Sequence, residues 1–560
     1  MNISTPSAQR SLSLPPGSVV TEAQARARFE SGEWSDRSLA QFLGDAVAAH
    51  PDRIAAISID HNGDAVREMT YAEIDLMSRQ VAAGLQKMGV KPRDVVTVMM
   101  TNCAEFVAVV YGIMRAGATY SGIPITYGAH EVEVMTRKAG TKVLIVSRHL
   151  AGKDILSAAV PAEVRDNPSI TLVVAGPAAE GALSLEDMLQ PESDFTPVPV
   201  DPLAIAQLGF TSGTTSEPKA VMNLQATLDV VVRGWAAHVG HDSYGTPVRN
   251  LVMSPVGHAT GFMWGPLLTV HLGGTAVLVE KWSPQLGARI IADTAITTMV
   301  GSPTFLIDLL TTGGLTRSTA PSLKLVVVAG APIPRPLMRE AETVLGCDVI
   351  PAWGMTEFGI AISGRPGLGD INRDSDGIPV AAAQVSIRDV DDRESLDGVV
   401  GNLWLRGAGM FVGYYGQEDA TRSQLDGEGW FSTGDTAYRS ANGSITIAGR
   451  TKDIIIRGGE NIPVAMVESL IFQHPSVTEV AVVGYPDPRL GERACAFVRL
   501  RPDDTLDLEG LRTFLTEAGL ARRYFPERLE VIDELPKTMS GKIRKVDLRG
   551  SLAHERDTDD

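Results

Sequence analysis

The chain has 560 residues, 44% of them hydrophobic, enough to bury more than one core and so to form at least two domains. Its net charge of −17 excludes nucleic-acid or anionic-membrane binding as a main role, because phosphate surfaces demand a basic face. Cys103, Cys347 and Cys495 lie far apart, giving neither a disulfide framework nor a C-x-x-C metal site, and no run approaches the length of a membrane span or a signal sequence, so a cytoplasmic home is expected.

In chain order, residues 1–30 are rich in Ser, Pro and Ala and are expected to form a flexible segment or to drape over the surface. LAQFLGDAVAAH at 39–50 and MTYAEIDLMSRQVAAGLQKMG at 69–89 have helical period, and VVTVMM at 95–100 reads as a strand. Helix and strand alternate to about residue 330, which predicts layered α/β architecture with largely parallel sheets and a site outside the strands' carboxyl ends. From about residue 370 the texture changes to short, Gly-punctuated strands (VSIRDV, GNLWLRG, SITIAGR), read as a β-rich subdomain. Residues 31–451 are assigned to one large domain, and residues 452–560 to a small, mobile α+β domain with its hinge near Lys452.

Two lysine-bearing, hydroxyl-rich loops lie more than three hundred residues apart: TSGTTSEPKA at 211–220 and PKTMSGKIRK at 536–545. In the first, Thr211, Ser212, Thr214 and Thr215 offer hydroxyls, Gly213 lets the backbone approach an anion, and Lys219 supplies a compact positive charge. Such a loop suits a polyphosphate, and it follows the apolar stretch from Leu203 to Phe210, which reads as a buried strand. The patterns G-x-x-x-x-G-K-[ST] and G-x-G-x-x-G after a strand are both absent, which disfavours P-loop and Rossmann nucleotide sites.

Together with AWGMTEFG at 352–359, GWFSTGD at 429–435 and GRTKDIIIRGGENIP at 449–463, these loops resemble, in order and over most of the chain, the adenylate-forming superfamily of acyl-CoA synthetases, peptide-synthetase adenylation domains and luciferases. The resemblance implies that ATP and Mg2+ are bound and that a carboxylic acid is activated as its acyl adenylate. It implies that the 211–219 loop holds the outer phosphates, that Gly330, Ala331 and Gly354 line the nucleotide site, that Trp353 flanks the adenine, and that Thr356 contacts the α-phosphate while Glu357 binds the metal. Asp435 would take the ribose hydroxyls, with Arg450 beside them, and Lys542 would bridge the acyl carboxylate and the α-phosphate. Taken alone, GWFSTGD is also a β-turn closed by an aspartate, and Lys542 a solvated lysine in a basic cluster. Ser540 and Gly541 suit a loop that inserts a charge and withdraws it. Gly458 and Gly459 would leave room for the pantetheine arm of coenzyme A. Ser216 and Ala220 depart from the family pattern, standing where relatives commonly carry glycine.

For the acid, SPVGHATGFMWG at 254–265 matches the segment in which His258 lies near the carboxylate, followed by Phe262, Met263 and Trp264 on an apolar wall. Thr304, Ala329, Ile360 and Ala361 are further wall positions, and no arginine or lysine stands among them, which favours an uncharged acyl group. The chain is most similar to cyclohexanecarboxylate and medium-chain acyl-CoA ligases, which implies a cyclic, aromatic or medium-chain monocarboxylic acid and coenzyme A as co-substrate. An enzyme loading a carrier-protein thiol is the alternative, and a catalytically silent adenylate-binding protein is a third, which the presence of Lys542, Asp435 and Glu357 disfavours. A homo-oligomer is left open.

Overall fold

The computed structural model describes residues 13–177, 179–211, 218–245, 247–451, 455–457, 460–538 and 541–554. Two sheets form the large domain's frame. In the nine-stranded one, the strands Asp348–Met355, Leu325–Ala329, Thr298–Gly301, Arg249–Val252, Thr275–Val279 and Ile54–Ile59 run parallel in that spatial order. The hairpin partners Gly359–Ser363 and Ala65–Thr70 add antiparallel strands towards the two edges. The seven-stranded sheet is parallel from Ile205–Thr211 through Thr119–Gly122, Val95–Met99, Thr141–Ser147 and Thr171–Ala175, with Lys219–Leu224 antiparallel at one edge.

Runs such as LVVVA at 325–329 and TAVLV at 275–279 form these strands because both faces of a parallel sheet are covered by helices, so an unbroken apolar run is satisfied on either side. Helix Tyr71–Lys87 starts where Thr70 and Glu73 close a reciprocal capping box, and its apolar face (Ile74, Val81, Leu85) enters a core shared by the two sheets. A four-stranded antiparallel sheet, Ala383–Arg388, Gly401–Gly407, Phe431–Arg439 and Ile445–Arg450, follows as the β-rich subdomain. The small domain has its own five-stranded sheet around the long pair Val477–Asp487 and Gly491–Leu500, with helices Val464–Ile471 and Leu508–Glu517 packed on one side and Lys545–His554 against the other. Among the described residues no helix is long and apolar enough to cross a membrane.

The described part of segment 1–30, from residue 13, carries a mostly exposed helix. Thr21 caps the helix Glu22–Glu30, and Val19 donates its backbone N–H to the Val412 carbonyl at 2.8 Å. Trp34, 1% exposed, anchors this segment: its indole N–H donates to the Ala408 carbonyl at 2.9 Å and Arg28 stacks on its ring. One buried tryptophan outweighs a polar composition, because its large apolar surface is removed from water in one step.

Candidate active site

The expected site residues follow the carboxyl ends of parallel strands. Ser302 and Thr304 come after Thr298–Gly301, His258 after Arg249–Val252, and Gly330 after Leu325–Ala329. AWGMTEFG is a hairpin: the strand Asp348–Met355 turns through Thr356, Glu357 and Phe358 into Gly359–Ser363, with Met355 opposite Gly359. Gly354 permits the turn to close, since a Cβ there would lie 2.0 Å from the Gly359 carbonyl oxygen. Gly359 has φ +93°, which favours glycine.

The Glu357 carboxylate is 6% exposed, and Tyr414 donates its hydroxyl to Oε1 at 2.8 Å. Burial raises its affinity for a proton, opposed by the Tyr414 hydrogen bond and by the charges of Lys219 and Arg450. Lys219 Nζ lies 4.6 Å from the centroid of the Tyr414 ring, so one tyrosine touches both the lysine of the first loop and the glutamate of the hairpin. Beneath them Asn223 Nδ2 donates to the Thr356 carbonyl at 3.2 Å, and the Thr356 methyl lies 2.7 Å from where a Cβ on Gly209 would stand.

Asp435, 8% exposed, accepts from the Trp353 indole N–H at 3.0 Å, and Arg450 Nε lies 3.2 Å from its other oxygen. Trp353, expected beside the adenine, thus also orients this carboxylate. Burial raises the Asp435 pKa, against the lowering field of Arg450. Lys542 belongs to the same cluster: burial lowers its pKa first, Arg450 lowers it further, and Asp435 opposes both. Its Cε lies 3.7 Å from where a Cβ on Gly330 would stand, and Gly330 has φ +84°. Two domains thereby bring one lysine within the electrostatic field of a carboxylate and a guanidinium.

His258 caps the short helix Ala259–Phe262, its Nδ1 accepting the Thr260 N–H at 3.3 Å, which puts the neutral ring's proton on Nε2. Burial, followed by the charge of Lys542, pushes its pKa down to about 4. A π-helical turn, Met263–Leu267, follows. Phe262 packs on Tyr120 with ring centroids 4.7 Å apart and Trp264 on Trp235 at 4.9 Å. A Cβ on Gly359 would meet Val231, Trp264 and Met263, so this apolar wall closes around the hairpin glycine. Ile360 and Ala361, also expected on the wall, are both buried. Thr304, expected on the acyl wall, spends its hydroxyl on the Gly541 carbonyl at 2.8 Å.

Ser212, Gly213, Thr214, Thr215 and Ser216, the hinge Lys452, the tunnel glycines Gly458 and Gly459, and Ser540 lie outside the described residues. Ala220, standing where relatives commonly carry glycine, is an ordinary strand residue paired with Phe210 and has no positive φ. Sequence reasoning missed Tyr414, because FVGYYGQ carries no spacing signature and only the packing of residues 411–415 against 220–222 brings its ring to the site.

Among the described residues no group of three or more His, Cys, Asp or Glu is placed to hold a metal. A single buried carboxylate nevertheless fits Mg2+, which commonly takes one or two protein carboxylates and fills its remaining positions with phosphate oxygens and water. A groove of about 530 Å3 at the opposite, amino-terminal ends of the large sheet's strands is lined by Arg53, Arg249 and Lys324. Its two guanidinium groups are engaged by the Gly273 and Thr294 carbonyls, and it lies on the wrong side of a parallel sheet for the ligand site.

The AMP-binding enzyme family profile matches residues 43–415, and that of the AMP-binding enzyme C-terminal domain matches 466–542. The chain is 30% identical to the medium-chain fatty-acid–CoA ligase of Escherichia coli strain K12 over 94% of this chain and 93% of that one. It is 31% identical to a salicylyl-CoA synthase / salicylate adenylyltransferase of a Streptomyces species over 96% of this chain and 97% of that one. Among solved structures, the anthranilate CoA ligase AuaEII in complex with anthranoyl-AMP superposes with a TM-score of 0.83 and 26% identity, covering 93% of this chain and 98% of that one.

Proposed function

Since the chain belongs to the AMP-binding enzyme family and is an adenylate-forming, acid-activating ligase, we propose that it makes acyl-CoA from an apolar monocarboxylic acid, ATP and coenzyme A, releasing AMP and pyrophosphate. The observation that carries this reading is the placement of Lys542, from the small domain, in one electrostatic cluster with Asp435, Arg450 and His258 of the large domain.

A carboxylate cannot acylate a thiol directly, because its leaving group would be oxide. In the first step a carboxylate oxygen attacks the α-phosphorus, the bond to the β-phosphate oxygen breaks, and pyrophosphate leaves. Two anions must meet, so the chain's task is to neutralise charge and hold geometry. Lys542 would bridge the acid and the α-phosphate, Lys219 would face the outer phosphates, Asp435 would accept the ribose hydroxyls, and Thr356 would hold the α-phosphate. Glu357 would hold Mg2+, which supplies charge neutralisation at the phosphates.

In the second step the thiol sulfur attacks the acyl carbon, AMP departs with the bridging oxygen, and the thiol proton passes to solvent. A thiol of pKa ~8.5 is nucleophilic without a dedicated base. Lys542 would have to withdraw, and Gly458 and Gly459 would admit the pantetheine arm, as a rotation of the small domain about Lys452 allows. The apolar wall of Met263, Trp264, Val231 and Ile360 favours a cyclic, aromatic or medium-chain acid without a second charge. Relatives named as CoA ligases support this reading of the acceptor, while relatives named as synthases of triostin and pyochelin keep the carrier-protein alternative open to the test below.

The test is product mass spectrometry with Mg2+, ATP and a panel of cyclohexane, benzoic and C4 to C12 acids, with and without coenzyme A. Acyl-CoA formed only with the cofactor supports the ligase, and adenylate without thioester transfers the proposal to a carrier protein. Lys542→Ala should abolish adenylation yet leave thioester formation from supplied acyl adenylate, and Gly459→Leu should do the reverse.

A further inference from the structure

The lysine loop rests on the large domain through one helix. Thr304 and Asp308 lie one turn apart on the helix Pro303–Thr311, which begins directly after the central parallel strand Thr298–Gly301. Thr304 Oγ1 donates to the carbonyl of Gly541, the residue before Lys542, at 2.8 Å. Ser302, the residue before this helix, keeps a buried hydroxyl with no hydrogen-bond partner among the described residues. That hydroxyl lies 2.4 Å from where a Cβ on Gly541 would stand, and Gly541 has φ +79°. Only glycine can seat the loop this closely. Farther along, Asp308 lies within the electrostatic field of Lys537, Glu479 and Arg499 of the small domain. These three are themselves tied, with Lys537 Nζ 2.6 Å and Arg499 Nη1 2.8 Å from the two Glu479 oxygens.

We propose that the face formed by Ser302 and Thr304 is the dock that positions the lysine loop for adenylation, with Thr304 acting through Gly541 on Lys542. The dock rests on the two-step reading above. It combines specificity with release: one neutral hydrogen bond and the close seating of Gly541 against Ser302 fix the loop's register without holding it permanently, as a lysine that must withdraw requires. Thr304 is therefore a positioning residue, and it leaves the acyl wall.

The test uses the full-length protein and the best acid from the panel. Acid-dependent exchange of pyrophosphate into ATP reports the first step, and thioester formation from supplied acyl adenylate reports the second. Thr304→Val should lower the exchange kcat about tenfold, the scale of one lost hydrogen bond, while the second step stays within about twofold. Thr304→Ser should restore exchange, and Gly541→Ala should lose it at least as severely as Thr304→Val. Equal losses in both steps, no loss, or a shift in the acid KM instead of kcat would overturn the dock. A wild-type protein that forms no adenylate from any acid overturns the activity and the dock together, whereas an active wild type with no selective loss in Thr304→Val overturns the dock alone.

Discussion

Asp435 and Arg450 face each other across an antiparallel strand pair, with the guanidinium Nε 3.2 Å from one carboxylate oxygen while the Trp353 indole N–H occupies the other. The carboxylate is thus held by two partners, one on each oxygen, and on the proposed function it awaits the ribose. Asp435→Asn keeps an acceptor for Trp353 but loses charge and one acceptor. Loss of charge-assisted hydrogen bonds to the ribose, about 2 kcal/mol, should raise the ATP KM roughly 30-fold with little change in the acid KM. Initial rates with ATP varied at saturating acid would measure it. An unchanged ATP KM would remove Asp435 from the ribose site.

Tyr414 links Lys219 to Glu357 by its ring and its hydroxyl separately. Phenylalanine keeps the ring. Tyr414→Phe should therefore preserve ATP affinity but free the glutamate, lowering the adenylation rate about tenfold and raising the Mg2+ concentration needed for half-maximal exchange. A Mg2+ titration of the exchange reaction distinguishes this from simple loss of fold, which would leave the half-saturation point unchanged.

Gly209 and Thr356 present a compensation test. A methyl group on Gly209 would stand 2.7 Å from the Thr356 methyl, so Gly209→Ala should displace the threonine and its hydroxyl. Exchange should fall more than about tenfold for an overpacking cost of only about 1 kcal/mol in stability. Serine keeps the hydroxyl and lacks the methyl. Adding Thr356→Ser should recover much of the activity, and a double variant no better than Gly209→Ala alone would show that the collision is not the cause.

Much of the fold was legible because periodicity and burial agree. The helical run at 69–89 contains the observed helix Tyr71–Lys87, and GNLWLRG is the strand Gly401–Gly407. The alternation to residue 330 gives the parallel strands, whose carboxyl ends carry His258, Gly330 and Ser302. What sequence could not give was contact between distant segments. Trp34 reaches Ala408, 374 residues away, a contact that no local pattern signals. Thr304 was placed by its neighbours on the acyl wall, yet its rotamer carries the hydroxyl to a loop 237 residues farther on. Tyr414 has no motif, and its role follows from two long-range contacts. Side-chain direction and pairing across hundreds of residues are set by packing, which local pattern does not encode.

His258 allows a pH test with a definite sign. In the folded protein its pKa is pushed down to about 4, against about 6.5 in the unfolded chain. Between these values the unfolded state binds the proton more readily, so stability is full above about pH 6.5 and is lost as pH falls towards 4. The contribution at pH 4.5 is at most about 2.5 kcal/mol, and less where water reaches the ring. His258→Gln removes the titration while keeping a side chain of similar reach. Urea midpoints at pH 7.5 and pH 4.5 should therefore fall less in the variant than in the wild type, the difference vanishing above pH 7. Because the ring stays neutral from pH 6 to 8, the adenylation rate should show no inflection from His258 in that range. An inflection near 6.5 that His258→Gln abolishes would mean that the imidazole is solvated and that burial does not hold it neutral.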